Sequence, residues 1–340
     1  MGLPLAITGA GMVTGVGLGA SASCAAIRCA IDNFQETRFM DSGGEWIIGC
    51  EAPLDQPWRG RAKLIKMAMA AIRECLEEVG DIEPANTPLL LCLAEQTRPG
   101  RTIDDDNQLF LDLQDELEME FHTASRVIAT GHVAVAIAIK HARTLIHQQG
   151  VKQVIIAATD TLLVGPTLAY YEEMGRLFTS NNSNGFIPGE AGAALVVESP
   201  FDKGSEVLCC QGLGFGVEMA HVESEEPLRA EGLTAAIKES LQDAGCEMGD
   251  LDFRITDLSG EQYYFKEASL ALSRTLRKRK EEFDIWHPAD CIGEVGSAQG
   301  VVMLAILKAA CEKGYTKGRR MFAHMGNDDG KRASLVMEWL

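Results

Sequence analysis

Short runs of continuous apolar residues alternate with stretches of helical periodicity along the whole chain. An unbroken apolar run of about four to eight residues predicts a strand covered on both faces of its sheet. Such strands are predicted at residues 3–8, 89–93, 154–158, 193–198, 206–213, 253–257, 320–324 and 333–338. Apolar residues three and four positions apart predict helices at residues 21–31, 62–79, 132–147, 233–244, 261–280 and 301–311. This alternation indicates an α/β fold.

The net charge and the hydropathy of the chain argue against some kinds of binding partner. The 340 residues carry a formal net charge of −18, which argues against nucleic acid or an anionic membrane as a partner. No apolar run reaches the ~20 residues that a membrane-spanning helix needs. The opening residues 1–5 carry no basic residue ahead of their apolar stretch, so a signal peptide is not expected.

The ten cysteines raise the question of disulfides or a metal site. They form no C-x-x-C pair, and no cluster of cysteine and histidine has zinc spacing. Most lie among alanine, isoleucine or leucine, where a reduced cysteine behaves as a small apolar residue. We therefore expect no metal and no cofactor. Because the cytoplasm keeps thiols reduced, we also expect a cytoplasmic protein.

Three motifs in a fixed order carry a resemblance to a known family. ITGAGMVT at residues 7–14 is a strand with a predicted glycine turn at residues 9–11, and GFIPGEAGAA occupies residues 185–194. GEVGSAQG at residues 293–300 precedes an apolar helix, and a glycine-bearing segment at residues 324–330 precedes the last strand. Together they resemble the β-ketoacyl synthases of the thiolase superfamily.

The resemblance implies an architecture. The family has a thiolase-like five-layer αβαβα fold, built from two duplicated βαβαβαββ halves. In this chain the halves are predicted at residues 1–200 and 201–340. Members of the family are usually dimers in which an edge strand of each subunit meets the other across the two-fold axis.

The same resemblance implies a catalytic cysteine, and this chain has none at that position. The family's nucleophile stands at a helix N-terminus, where the dipole and the backbone N–H groups favour the thiolate. The corresponding turn here is Thr130-Gly131-His132, with His132 in the place of the cysteine. No cysteine occurs between Cys92 and Cys209, so no thiol can occupy the turn whatever the alignment.

The two histidines of the family's site are also missing. The first is expected after the strand at residues 253–257, where this chain has Asp257-Leu258-Ser259 and no histidine between His221 and His287. The second is replaced by Glu294, and a carboxylate cannot donate a hydrogen bond as an imidazole does unless it is protonated. Decarboxylative condensation by the usual route is therefore not expected.

Several residues remain candidates for a vestigial pocket. They are Thr130, Gly131, His132, Leu258, His287, Glu294, His324 and Asn327. His132 is either a base or pocket donor, or a structural residue at a helix start. Glu294 is either a base or a hydrogen-bonded loop carboxylate, and His287 either acts in the site or ends a strand. Asp160-Thr161 after a predicted strand is expected to cap a turn.

One basic cluster stands out from the acidic chain. Arg274, Arg277, Lys278, Arg279 and Lys280 lie near the end of the helix predicted at residues 261–280. The cluster either docks an acyl carrier protein, as the resemblance implies, or is a solvated helix C-terminus favoured by the macrodipole.

Two functions remain open from the sequence. The first is a non-catalytic binding or accessory protein that forms a homodimer, or a heterodimer with an active synthase, and binds a partner or an acyl-like ligand. Chain-length factors of polyketide pathways are a precedent, because they resemble synthases without the cysteine and pair with an active one. The alternative is an acyltransferase or hydrolase that uses Thr130, His132 and Glu294; a lone hydroxyl there needs a base.

Overall fold

The computed structural model describes residues 2–200 and 206–340. In the described part, ten strands form one mixed sheet in the order β10-β9-β11-β12-β8-β1-β7-β6-β4-β5, and a separate hairpin joins β2 to β3. The strands are β1 (Leu5–Thr14), β2 (Gln35–Met40), β3 (Trp46–Gly49), β4 (Leu89–Leu93), β5 (Arg126–Ala129), β6 (Gln153–Thr161), β7 (Glu190–Glu198), β8 (Leu208–Val217), β9 (Phe253–Thr256), β10 (Ile285–Trp286), β11 (Arg320–Gly326) and β12 (Lys331–Trp339).

Nine α-helices connect these strands within the described ranges. They are α1 (Ala20–Arg28), α2 (Gly60–Val79), α3 (Asp106–Leu117), α4 (Ala134–Gln149), α5 (Gly165–Glu173), α6 (Glu231–Ala244), α7 (Gln262–Thr275), α8 (Ala289–Ile292) and α9 (Gln299–Glu312). Short 3-10 turns at Gly131–Val133 and Gly296–Ala298 lead directly into α4 and α9.

The sheet consists of two five-stranded halves with the same topology. Taken in chain order, β1, β4, β5, β6 and β7 are arranged 3-2-4-5-1, and β8 to β12 are arranged in the same way. The directions of the strands match as well. Counted from the outer edge of each half, the first two strand pairs are parallel and the last two are antiparallel. The halves join where Leu5–Ile7 pairs with Leu208–Cys210. The predicted duplication of a βαβαβαββ unit is confirmed.

Apolar packing builds five layers. Helices α4 and α9 lie in the middle, between the two half-sheets, and share the largest core cluster with β1, β6, β8 and β11. Helices α2 and α3 cover the outer face of the first half, and α6 and α7 cover the outer face of the second. Helix α9 is buried almost all round, which explains why its sequence is apolar on every side. The predicted αβαβα layering is confirmed, whereas the boundary between residues 200 and 201 stays a prediction.

Two local predictions are wrong. Residues 9–11 do not form a turn but continue β1 to Thr14, because the glycines let α2 approach the strand closely. Helix α7 ends at Thr275 instead of residue 280, and Leu276 already has an extended backbone. Of the basic cluster only Arg274 is therefore helical. No helix in the described part of the chain is long and apolar enough to cross a membrane.

The close contact between α2 and β1 leads to a prediction about the stability of the fold. A Cβ added at Gly11 would overlap the backbone carbonyl oxygen of Ala71, which cannot move without moving the helix. We expect Gly11→Ala to lower the free energy of unfolding by ~1–3 kcal/mol in urea titrations. Gly165→Ala is the control, because its Cβ would lie 3.6 Å from Phe39 in ordinary contact. Equal stability of the two variants would contradict the close approach.

Candidate functional site

Loops from both halves converge at the N-termini of the two central helices. The turn before α4, the turn before α9 and the carboxyl ends of β4, β6, β9 and β11 all contribute side chains to one buried cavity. In parallel strands these ends lie at the same edge of a sheet, which is where α/β proteins gather functional residues. Three groups of charged side chains fill the cavity in this chain.

His132 forms the first group with two carboxylates. Its Nδ1 lies 3.1 Å from Oδ2 of Asp257, and its Nε2 lies 3.2 Å from Oε1 of Glu294. Asp257 follows β9 and also accepts a hydrogen bond from the backbone N–H of Gly326 (2.8 Å). Glu294 accepts another from the N–H of Gly296 (2.8 Å). The imidazole is thus held between carboxylates on both of its nitrogens.

The two carboxylate contacts favour the protonated form of His132. Burial favours the neutral ring, but Glu294 and Asp257 outweigh burial and raise the pKa of His132 to about 10. Burial also raises the pKa of Glu294 above its ordinary value. An imidazolium that donates from both nitrogens cannot accept a proton, so His132 is not available as a general base.

Arg98 forms the second group, between Glu95 and Asp160. Its Nη1 donates to Oδ2 of Asp160 (2.7 Å), and its Nη2 donates to Oε2 of Glu95 (3.0 Å). Arg98 and Asp160 are both buried. Although burial alone would raise it, the pKa of Glu95 lies below its ordinary value because of the Arg98 guanidinium.

Arg176 forms the third group with Glu261 and Asp328. The guanidinium meets Glu261 in a two-point contact of 2.7 and 2.9 Å and donates from Nη2 to Oδ1 of Asp328 (2.9 Å). The hydroxyl of Tyr171 donates to the other oxygen of Asp328 (3.0 Å), and Tyr264 donates to Oδ1. Burial opposes ionisation of Asp328, yet Arg176 and the Tyr264 hydroxyl hold the pKa of Asp328 well below its ordinary value.

We call these three groups the ionic cluster. Its members are Glu95, Arg98, His132, Asp160, Arg176, Asp257, Glu261, Glu294 and Asp328. They come from the first and the second half of the chain, and each cation contacts two carboxylates. The cluster therefore ties the two halves together at the centre of the molecule.

Each half also caps the central helix of the other. Asp160, at the end of β6 in the first half, accepts through Oδ2 from the backbone N–H of Ser297 in the turn before α9 (2.7 Å). Asn327, after β11 in the second half, accepts through Oδ1 from the N–H of Val133 before α4 (3.1 Å). A free N–H at a helix start is one of the donors that capping satisfies. Asp160 also accepts locally through Oδ1 from the N–H of Thr161 (2.8 Å), and the Thr161 hydroxyl accepts from the N–H of Leu163 (3.2 Å). The predicted turn capping is therefore present, and the cap of α9 is an additional role of Asp160.

Little space remains beside the ionic cluster. The cavity that its residues line has a volume of about 30 Å³, which is room for about one or two water molecules. Among the described residues, no group of three or more His, Cys, Asp and Glu side chains is arranged to hold a metal ion. The cations and carboxylates contact one another, and the cavity that remains is too small for an acyl chain.

Five of the eight predicted pocket residues lie together. Gly131 takes a left-handed conformation (φ +67°) between Glu95 and Asn327, and His132 and Glu294 form the ion pair described above. Asn327 also donates from Nδ2 to the carbonyl oxygen of Thr130 (2.7 Å). The hydroxyl of Thr130 is buried and has no hydrogen-bond partner in the described structure.

The other three predicted residues do not line this cavity. Leu258 is buried and does not line the cavity, although its neighbours Asp257 and Ser259 do. His287 lies at a different cavity, with its Nδ1 2.9 Å from Oδ2 of Asp290. His324 points toward α6 and α7, because it lies two positions along β11 from Phe322, which packs in that outer layer. Burial lowers the pKa of His324 to about 4.

The basic cluster lies at the far end of α7 from the ionic cluster. Glu261 immediately precedes the helix and Arg274 is in its last turn, about 20 Å away at ~1.5 Å per residue. Arg277 and Lys278 follow the helix and are exposed, and Lys278 pairs with Glu247 at 3.4 Å. Docking of an acyl carrier protein at Arg274, Arg277 and Lys278 stays a prediction.

Seven members of the ionic cluster were not among the predicted pocket residues. They are Glu95, Arg98, Asp160, Arg176, Asp257, Glu261 and Asp328, of which Asp160 was predicted only to cap a turn and Asp257 only to stand near the place of the first histidine. Two of them had a signal, because Glu95 and Asp160 stand at the carboxyl ends of β4 and β6. Arg176, Glu261 and Asp328 lie far apart in the sequence and had no such signal.

No protein-family model matches the sequence, and no curated protein matches it. Solved structures match over the whole chain. A type II polyketide synthase acyl carrier protein in complex with its ketosynthase bound to the hexaketide (AntDE:AntF) contains a chain with a TM-score of 0.83 at 14% identity, covering 100% of both chains. The ishigamide ketosynthase/chain length factor has a TM-score of 0.81 at 17% identity, covering 99% of both. A β-ketoacyl synthase from Burkholderia phymatum STM815 has a TM-score of 0.76 at 15% identity, covering 100% of both.

These similarities establish the class of fold. The chain has the thiolase-like fold of the β-ketoacyl synthases, as the resemblance of its motifs implied. Where that resemblance expects a cysteine and two histidines, the three converging loops present His132, the segment Asp257–Ser259 and Glu294.

The protonation of His132 can be measured directly. In ¹⁵N-detected NMR of the imidazole rings at pH 8, we expect one histidine to carry a proton on both nitrogens, and we expect its signal to vanish in His132→Gln. Because the folded pKa lies above the ~6.5 of an unfolded histidine, this charge stabilises the fold fully below pH ~6.5. The contribution is lost as the pH rises through about 10. A His132 that titrates near pH 6.5 would contradict the two carboxylate contacts.

Proposed function

We propose that this chain is a non-catalytic, ketosynthase-fold protein that acts by pairing with a second chain of the same fold. One observation carries the proposal: the ionic cluster occupies the cavity at the starts of the central helices and leaves about 30 Å³. By resemblance this is where a condensing enzyme holds its thioester. A cavity of that size does not admit an acyl chain of several carbons.

The chemistry of the cavity supports the same proposal. No thiol stands at the turn before α4, and His132 is a cation held by two carboxylates. Removing one partner of a buried ion pair typically costs ~3–5 kcal/mol, so the cluster resists rearrangement to admit a substrate. We therefore propose that the ionic cluster is a structural plug, that is, a set of side chains that fills the site and excludes a substrate.

The alternative, an acyltransferase or hydrolase built on Thr130, His132 and Glu294, has less support. A hydroxyl nucleophile needs an adjacent base within hydrogen-bond reach. Both nitrogens of His132 face carboxylates, and the Thr130 hydroxyl has no partner in the described part of the structure. No observation in the cavity favours this chemistry over the plug.

Pairing with a second chain is supported by the edge of the sheet and by the structural neighbours. Strand β5 ends the ten-stranded sheet, and no other strand of the described residues pairs with its outer edge. An unpaired edge strand is a template for another chain. One neighbour is described as a ketosynthase/chain length factor, and another as a ketosynthase in complex with its chain length factor. We propose that β5 pairs with a copy of this chain or with a cysteine-bearing synthase.

Intact-mass measurement tests the absence of acyl transfer. The purified chain is incubated with acetyl-, malonyl- and octanoyl-CoA, beside a cysteine-bearing ketosynthase as the positive control. We expect no acyl adduct and no release of CoA, because the chain offers no nucleophile with a base. A stable adduct that disappears in Thr130→Ala would overturn the proposal and favour the acyltransferase.

Light scattering tests the pairing surface. We expect the chain recovered under native conditions to form two-chain particles, and we expect Arg126→Asp in β5 to convert them to monomers, because Arg126 is exposed and the change reverses a charge on the edge strand. Arg277→Asp is the matched control, since Arg277 is also exposed and lies outside β5. A monomeric parent chain, or pairing that survives in folded Arg126→Asp, would reject this surface.

A further inference from the structure

A second cavity lies outside the ionic cluster, between α1, α9 and the strand β10. We call it the α1–β10 pocket; its lining includes Cys24, Arg28, Trp286, His287, Ile306 and Tyr315. Its volume of about 330 Å³ falls within the range of small-molecule sites, ~300–1,000 Å³. It shares no lining residue with the cavity of the ionic cluster.

The floor and one wall of this pocket are apolar. Cys24, Ile255 and Ile306 are buried at its base. Burial raises the pKa of the Cys24 thiol to about 11, so this side chain is neutral. Trp286 and Tyr315 form the wall, with ring planes only 25° apart and centroids 6.3 Å apart. Phe253 supports Trp286 from behind at a centroid distance of 4.5 Å. The wall therefore presents aromatic surface to an occupant.

A single cation stands at the mouth. The guanidinium of Arg28 lies over the Tyr315 ring, 4.3 Å from its centroid. It forms no salt bridge with a carboxylate of residues 2–200 or 206–340, although the chain carries a net charge of −18. The acid beside the pocket, Asp290, lies next to His287 instead, with its Oδ2 2.9 Å from the Nδ1 of that ring. The fork of N–H donors on Arg28 is thus free for a ligand, and its planar shape matches a carboxylate.

From these observations we infer that the α1–β10 pocket binds a small, flat aromatic molecule that carries one carboxylate. The aromatic wall and the apolar floor take the ring system, and Arg28 takes the single negative charge. A doubly charged phosphate is less suited, because one guanidinium balances one charge and Asp290 lies beside it. The inference is independent of the proposed pairing through β5, since no residue of β5 lines this pocket.

Calorimetric titration with 2-naphthoate tests this inference, and its neutral amide, 2-naphthamide, tests the charge. We expect saturable one-to-one binding of 2-naphthoate to the full chain. We expect Arg28→Gln to weaken that binding about tenfold or more, because a charge-assisted contact is lost. Binding of the amide should be weak and the same in both proteins.

Two further variants separate the pocket from the rest of the surface. Arg277→Gln removes an exposed arginine elsewhere and should leave the affinity unchanged, whereas Ile27→Trp fills the pocket from α1 and should abolish binding. The inference is overturned if 2-naphthoate fails to bind at about 1 mM, or if Arg28→Gln binds it as the parent chain does. Equal affinity for acid and amide would also reject it. These outcomes do not bear on acyl transfer or on pairing, which are measured separately.

Discussion

A charge removed from water must find a partner, and this constraint organises the centre of the molecule. Three cations, Arg98, His132 and Arg176, lie where loops of the two halves converge at the starts of the central helices, and each contacts two carboxylates. Desolvation makes every one of these ions costly alone, so each depends on the position of the others. The loops that carry them are therefore fixed relative to one another, and the small cavity between them follows from that packing.

The duplicated topology explains why the constraint spans the whole chain. The two halves carry equivalent central helices, each introduced by a 3-10 turn with a left-handed glycine, Gly131 in one and Gly296 in the other. Each turn is capped by a side chain of the opposite half, Asp160 or Asn327. Neither central helix has a complete N-terminus without the other half. The packing of α4 against α9 and the ion pairs beside them thus depend on contacts between the two halves.

The sequence predicted the architecture better than the contents of the site. Continuous apolar strands and motifs in a fixed order were local signals, and they sufficed for the layers and the duplication. The sequence also showed His132 where the resemblance implies a cysteine. The role of His132 could not be predicted, because its partners Asp257 and Glu294 lie more than one hundred residues away. Arg176 and Asp328 meet only through the fold. The glycine at position 11 was misread as a turn because close helix packing and a turn both require the missing side chain.

The double contact of His132 also bears on how such a chain changes over generations. A single replacement of His132 by cysteine would place a thiol at the turn, but it would leave Asp257 and Glu294 as buried anions without a cation. Stranding them typically costs ~3–5 kcal/mol, a large part of the stability of an ordinary domain. A cation at this turn is therefore hard to exchange for a neutral residue unless Asp257 or Glu294 changes with it. The two carboxylates thus constrain which residue can stand at the start of the central helix.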